Sequence, residues 1–413
     1  MTSRAWLRPL HVRNYRLFFI GQTASQIGSG MAPVAVAFAV LAHGSASDVG
    51  YVLAAGTVPL VVFLLVGGVV GDRISRRRLM LLADSLRTIA EVALGLWVLE
   101  GHPPLWGFMM LAALIGVGQA FFSPAMTGIM PQLVEAEILQ QGNALNGLSR
   151  SSGGILGPAI AGIIVAVANP GWAILADGTT YLISVVSLAL IRVDWSATGH
   201  PESFVALLRE GWREFWSRTW LWTIVVQSAF VNMLFASLLV LGPLVAKQSL
   251  GGASSWGAIL ATFGAGAVVG GVVMLRVHPR RPLLIANLFA LMYPLPLFFI
   301  AARSAVVMIA ISAFLTGVGV AVFDVQWTTT MQREIPANVL SRVSAYDWFG
   351  SLVFAPLGMA LVGPVASKLG ITRTLDGCGI LTIVLILATL LVPSVVRLTG
   401  PAREEKGTIA QAS

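Results

Sequence analysis

Gly67-Gly68-Val69-Val70-Gly71-Asp72-Arg73-Ile74-Ser75-Arg76-Arg77-Arg78 returns 203 positions later as Gly270-Gly271-Val272-Val273-Met274-Leu275-Arg276-Val277-His278-Pro279-Arg280-Arg281. In both copies an apolar, glycine-rich stretch runs into a short basic loop. A longer match follows at a spacing of 201: Leu114, Gly116, Val117, Gly118, Ala120 and Phe122 recur as Leu315, Gly317, Val318, Gly319, Ala321 and Phe323. Ala136, Leu139, Ala144, Gly157, Ala159 and Gly162 recur as Ala337, Leu340, Ala345, Gly358, Ala360 and Gly363. Asp177-Gly178 meets Asp376-Gly377 at 199. Matches in one order at nearly one spacing indicate an internal repeat of the whole chain.

The repeated unit is apolar. Of 413 residues, 56% are hydrophobic and 11% charged, against about 25% charged in an average soluble domain. Such a chain cannot cover a water-facing surface. A helix needs about 20 apolar residues to cross a bilayer, and such runs recur near 17–41, 50–71, 79–99, 104–130, 144–168, 171–192, 219–245, 254–275, 282–302, 304–331, 343–367 and 374–396. The first follows four arginines, but its apolar run is too long for a cleaved leader, so it reads as a retained helix. Backbone groups in lipid must bond within their own segment, so these runs are helices. The alternating segments of a transmembrane barrel are absent.

The expected fold is therefore an all-α membrane protein of twelve transmembrane helices in two six-helix halves related in parallel. The halves are 1–193 and 219–396, joined by a linker at 194–218, with a polar, disordered tail at 397–413. In the linker, Phe204, Leu208, Trp212 and Phe215 fall on one helical face, the pattern of a helix lying at the membrane interface. Parallel halves related by an axis along the membrane normal suit rocking around a central site. With the N-terminus inside, the outer loops hold only Lys247, Arg303, Lys368 and Arg373, and the remaining basic residues lie at the inner side, as positive-inside orientation demands. Both termini are then cytoplasmic.

Several functions are excluded. The basic residues sit beside apolar runs rather than on one groove-facing surface, which argues against nucleic acid. Cys378 is the single cysteine, so no intrachain disulfide or cysteine cluster can form. The five histidines lack metal-ligand spacing. No phosphate loop or nucleophile elbow is present, so neither direct ATP use nor catalysis is expected.

The loop Gly68-x3-Asp72-Arg73-x-Ser75-Arg76-Arg77-Arg78 resembles the signature loop of the major facilitator superfamily. Gly153-x3-Gly157-Pro158-x2-Ala161-Gly162 resembles the motif of its drug-exporting antiporters. Arg13-Asn14-Tyr15-Arg16-Leu17-Phe18 with Gly21-Gln22 and Ser25, Phe122-Ser123-Pro124-Ala125, Pro131-x-Leu133-Val134 and Asn143-Ala144-Leu145 are similar to the bacterial macrolide-efflux and enterobactin-exporter branch. Two positions depart from the pattern. Ser75 stands at a usual glycine, where it is expected to strain the turn. Span 4 has no arginine, which many proton-coupled exporters of the superfamily carry there; Gln119 occupies that neighbourhood.

The resemblance implies roles. Gly68, Asp72, Arg73 and Arg77 belong to a cytoplasmic latch between halves, the arginines at 76–78 also setting topology and touching lipid headgroups. Arg150 and Asp347, on repeat-related helices, are expected as a gating ion pair. Gly153, Gly157, Pro158 and Gly162 form a packing motif where the halves meet; glycines permit close helix approach and proline bends the helix. Helices 1, 4, 7 and 10 line the central cavity in the superfamily. This makes Gln22, Gln26, Gln119, Ser123, Gln227, Asn232, Phe323, Asp324 and Trp327 the expected substrate contacts. Acids inside spans are functional candidates, and Asp324 and Glu91 are the expected proton carriers. Asp84, Arg87 and Glu91 are spaced to pair along one helical face, while Asp177 reads equally well as packing.

The function implied is a multi-pass secondary transporter of the bacterial cytoplasmic (inner) membrane, monomeric in membrane lipid and without a cofactor. It exports an amphipathic small molecule (drug, macrolide, siderophore or natural product) by proton antiport and alternating access. A proton-independent facilitator of a lipid or metabolite is the alternative that the missing span 4 arginine favours. A membrane enzyme or sensor on this scaffold is the other alternative.

Overall fold

The computed structural model describes residues 5–73, 75–192, 204–274, 277 and 279–399. Within these, the side chains of 5–6, 64–73, 127–128, 136, 140, 204–208, 210, 337–338 and 341–342 are not described. Gly68, Asp72 and Arg73 of the expected latch, the linker at 193–203 and the tail from 400 fall outside the described side chains or residues.

Sixteen α-helices follow one another among the described residues, with no strand: α1 (Arg13–Leu41), α2 (Ala46–Arg73), α3 (Arg76–Glu100), α4 (Leu105–Leu133), α5 (Ala136–Val167), α6 (Pro170–Leu190), α7 (Phe204–Ser217), α8 (Thr219–Ser249), α9 (Ala253–Met274), α10 (Pro282–Ala290), α11 (Leu295–Ala301), α12 (Val306–Glu334), α13 (Ala337–Leu352), α14 (Ala355–Leu369), α15 (Ile371–Leu390) and α16 (Pro393–Val396). The chain is a multi-pass helical membrane protein: eleven stretches are long and apolar enough to span a bilayer. The expected third span, α3, is not among these eleven. It is long enough at 25 residues, but Arg76–Arg78, Asp84, Arg87 and Glu91 lower its hydropathy.

Local chemistry sets the ends and the breaks. Ser75 caps α3: its Oγ accepts from the Arg78 N–H at 3.2 Å, with φ of −55°. The expected strain at this position is therefore absent, because serine is itself a preferred cap. Asn169 caps α6 by accepting from Gly171 N, and Pro170 occupies the first turn, where its missing donor costs nothing. The ninth expected span is two helices, α10 and α11, separated at Leu291–Pro294; Pro294 and Pro296 cannot supply the N–H groups that would continue α10. The eleventh is likewise divided into α13 and α14, just before Pro356.

The helix pairs repeat. α1 packs on α5 and α6, α2 on α4, and α3 on α4 and α6. In the same order, α8 packs on α14 and α15, α9 on α12, and α10 with α11 on α12 and α15. Two seams join these sets, α5 on α9 and α2 on α14. Helix α7 lies against α13, with Trp212 and Phe215 ring-packed on Tyr346 at 5.3 and 6.1 Å.

Candidate functional site

The packing motif is the first candidate with a clear structural account. A Cβ at Gly153 would meet the Gln26 carbonyl oxygen at 2.3 Å, and one at Gly157 would meet Gly30 at 2.6 Å. Both faces are thus flush with α1. One turn further, a Cβ at Gly162 would meet the Ala253 carbonyl at 2.8 Å, and the Pro158 carbonyl lies 2.3 Å from the Cβ position of Gly257. So α5 is wedged between α1 and α9. The repeat partners do the same: Gly358 abuts Met233 of α8 at 2.1 Å, and Gly363 abuts Ser47 of α2 at 2.4 Å. Beside these seams, Lys247 donates to the carbonyl of Leu41, the last residue of α1, where a cation complements the helix dipole.

The acids of spans 3 and 6 come together. Asp84, Arg87, Glu91 and Asp177 are each at most 4% exposed. Arg87 pairs with Asp84 at 3.1 Å, and Ser184 Oγ donates to the other Asp84 oxygen at 2.6 Å. Arg87 also donates to the Tyr181 hydroxyl, which is linked to Ser29 Oγ of α1 at 2.8 Å. The guanidinium lies 3.9 Å from the Tyr181 ring centroid and 5.5 Å from that of Phe122, geometry that adds about 0.5–2 kcal/mol of cation–π attraction per ring. The Arg87 stem fits against α4 because Gly118 has no side chain: a Cβ there would sit 2.6 Å from Arg87 Cγ. Arg87 of α3 thus sets a guanidinium against α4, beside Gly118 and Phe122. Glu91 packs on α6 beside Asp177: a Cβ at Gly178 would sit 3.3 Å from Glu91 Cβ, and Glu91 Oε2 and Asp177 Oδ2 are both buried without a partner.

Four helices build this network. Asp84, Arg87 and Glu91 share a face through their three- and four-residue spacing, as do Asp177, Tyr181 and Ser184 on α6. The α3 spacing was legible in sequence. Tyr181 and Ser184 were missed, although their spacing from Asp177 carried the same signal.

The remaining expected contacts divide. Gln119 donates to Ser123 Oγ at 2.9 Å on α4. Asn232 donates to the Ser351 carbonyl at 2.9 Å, tying α8 to α13. Phe323 stacks on Trp327, and Tyr293 meets Phe323 edge-on. Asp324 is exposed from the bare helix bundle and lies near enough to Tyr293 and Asp347 to act on them electrostatically. Gln22 and Gln227 are 1% and 4% exposed, and both Gln22 amide atoms and Gln227 Oε1 lack partners. Gln22 is therefore embedded in packing here rather than open to a cavity; its neighbour Gly21 sits flush against Ser184 and Ser187 of α6. Gln26 is half-buried.

The expected Arg150–Asp347 pair is not made. Asp347 instead accepts from Trp327 Nε1 at 3.1 Å and Ser351 Oγ at 3.4 Å, while Arg150 is exposed. Arg77 binds within its own set of helices, donating to the Leu188 and Ala189 carbonyls at 2.8 and 2.7 Å. It adds a second donor to the Leu188 carbonyl, which already accepts from Ile191 N–H, and bonds the Ala189 carbonyl at the end of α6. A cavity of about 280 Å³ opens at one end of the bundle, lined by His43, Asp48, His102, Phe108 and Asn169 among others. None of the candidate residues lines it.

The sequence profile described as "Transmembrane secretion effector" matches residues 4–406, and the chain belongs to that family. It is 28% identical over 386 residues to the multidrug efflux pump Tap of Mycolicibacterium fortuitum, covering 87% of this chain and 90% of that one. It is 26% identical over 418 residues to the enterobactin exporter EntS of Salmonella typhi, covering 95% and 96%. The solved structure of the nucleoside transporter NupG superposes with a TM-score of 0.74 at 10% identity, covering 92% and 98%, a likeness of fold alone.

Proposed function

We propose that this protein exports an amphipathic small molecule across the bacterial cytoplasmic membrane, driven by protons moving inward. The observation that carries the reading is the full-length similarity to efflux proteins, Tap and EntS, in a chain with a charged interior. The two helix sets act as halves that rock about the α5–α9 and α2–α14 seams, with α3 as the twelfth span and both termini cytoplasmic. The seams hold the end of the bundle bearing the turns at 42–45 and 250–252. Taken as the outer end, it is closed, and the cargo site opens inward.

The cargo faces the second half. Tyr293, Phe323 and Trp327 pack ring against ring, Phe323 and Trp327 buried in that packing, and Asp324 stands exposed on the helix of these two. Rings next to one carboxylate favour an amphipathic molecule with a positive charge. Of the carboxyls in these helices, buried Glu91 is where a coupling proton would reside, which leaves exposed Asp324 to the cargo.

The test is accumulation of ethidium and erythromycin in cells stripped of their own exporters. Expression should lower accumulation, and an uncoupler should restore it. Asp324→Asn should weaken export of the cationic probes. Lowered accumulation insensitive to the uncoupler would favour the proton-independent facilitator. Accumulation of both probes unchanged by expression would contradict drug export.

A further inference from the structure

The interior of the first half does not balance. Three carboxyls, Asp84, Glu91 and Asp177, share one guanidinium, and all four side chains are almost wholly buried. Asp84 takes up Arg87 and Ser184. What remains is Glu91 and Asp177, face to face between α3 and α6, with Glu91 Oε2 and Asp177 Oδ2 both buried and lacking any donor. Asp177 Oδ1 has Thr180 at 3.3 Å. Two ionised carboxyls offer acceptors and no donor, and like charges this close, out of water, repel strongly. One proton between them supplies the missing donor and removes the repulsion.

The surroundings limit what else could supply it. From α3 the charged groups are Asp84 and Arg87; from α6 they are Asp177 itself and the Tyr181 hydroxyl. Helix α1 contributes Ser29, and Gly28, whose Cβ position lies 2.5 Å from Asp177 Oδ1. Helix α4 contributes Phe122 and Gly118. The charged residues of α5 with described side chains, Glu137 and Arg150, are exposed. Among the described residues Arg87 is the one cation facing the cluster, and it is engaged by Asp84 and Tyr181. Tyr181 bonds both Arg87 and Ser29, and Ser29 is half-buried on the polar stripe of α1.

We infer that Glu91 and Asp177 form a shared-proton pair that loads and releases the coupling proton, so that protons are handled inside the first half while Asp324 meets the cargo in the second. Release leaves both carboxyls ionised beside Arg87, whose guanidinium can turn from Asp84 toward them; reloading returns it to Asp84. The proton enters and leaves through water reaching Ser29 and Tyr181, and no other bond changes. The coupling part of this inference rests on the antiport reading; the shared proton does not.

Infrared difference spectra of the purified protein across pH test the shared proton without a cargo. The carbonyl-stretch band of a protonated carboxyl should titrate in the parent and in Asp324→Asn. It should be lost or displaced in Glu91→Gln and in Asp177→Asn. A band unchanged in both isosteric variants would overturn the pair, whether or not those variants transport. In proteoliposomes with ethidium and erythromycin, both variants should keep gradient-free exchange and lose roughly a hundredfold in gradient-driven rate. Coupled transport persisting in both variants would reject the pair as carrier and leave antiport standing. A parent indifferent to the gradient would reject antiport, and with it the coupling role, while the infrared result still decides the pair.

Discussion

Helices α1–α6 enclose an arginine and three carboxyls; among the described residues, the equivalent helices that follow enclose one carboxyl, Asp347, held by Trp327 and Ser351, and no lysine or arginine. At the spacing of 203, Asp84, Arg87 and Glu91 correspond to Asn287, Ala290 and Pro294. At 199, Asp177 keeps its acid as Asp376, but Tyr181 and Ser184 become Ile380 and Ile383. Asn287 is fully buried and bonds the Leu283 carbonyl, with its Oδ1 unpartnered. Yet the helix pairs are the same. The fold thus does not need the ionic network, since the second set builds the same pairings without a buried ion pair among the described residues. Burying charge is costly and seldom repaid in stability, so the network in the first set is best explained by function.

That comparison can be broken first at Arg87. Arg87→Ala would strand buried carboxyls and is expected to cost about 3–5 kcal/mol, whereas Asn287→Leu should change stability by at most about 1 kcal/mol. Denaturant unfolding in detergent measures both, and equal losses would mean the two interiors are energetically alike. Next are the seams. Gly157→Val and Gly358→Val should each cost about 1–3 kcal/mol by overpacking, because both Cβ positions fall on backbone of the first helix of their set. Tolerance of one and not the other would break the equivalence of the halves.

Trp327→Phe removes the indole donor from buried Asp347 and should cost about 1–2 kcal/mol. Ser351 remains as a weaker partner at 3.4 Å. Restoration of stability by adding Asp347→Asn would identify the stranded carboxylate as the cause. The smallest effect is expected at Arg77. Arg77→Ala gives up two bonds to the end of α6, about 0.3–1 kcal/mol, and should leave the contacts between halves untouched. A change in crosslinking across the α5–α9 seam would instead restore Arg77 to the gate.

Hydropathy made the helices legible in the sequence, because each span must satisfy its backbone alone and must be apolar enough to enter lipid. Gly157 and Gly162 were legible for a similar reason, since few residues besides glycine permit such approach. The site was less so. Spacing put Asp84, Arg87 and Glu91 on one face, but no rule of periodicity says which helix that face meets, so Asp177 looked like packing. The cavity role assigned to Gln22 came from placing polar residues on a cavity-lining helix; in the structure the α1–α6 contact closes over it. The Arg150–Asp347 pair failed for another reason: charge complementarity in sequence cannot see that Trp327 and Ser351 already occupy the acid.

A coupling proton held by the charged interior of α1–α6 would make transport respond to a proton gradient. Purified protein in liposomes, loaded with ethidium or erythromycin under an imposed pH gradient and a pH-sensitive dye, tests it directly. The account predicts cargo movement against its own gradient with stoichiometric proton flow the other way. Cargo movement at the same rate with and without the pH gradient would contradict it.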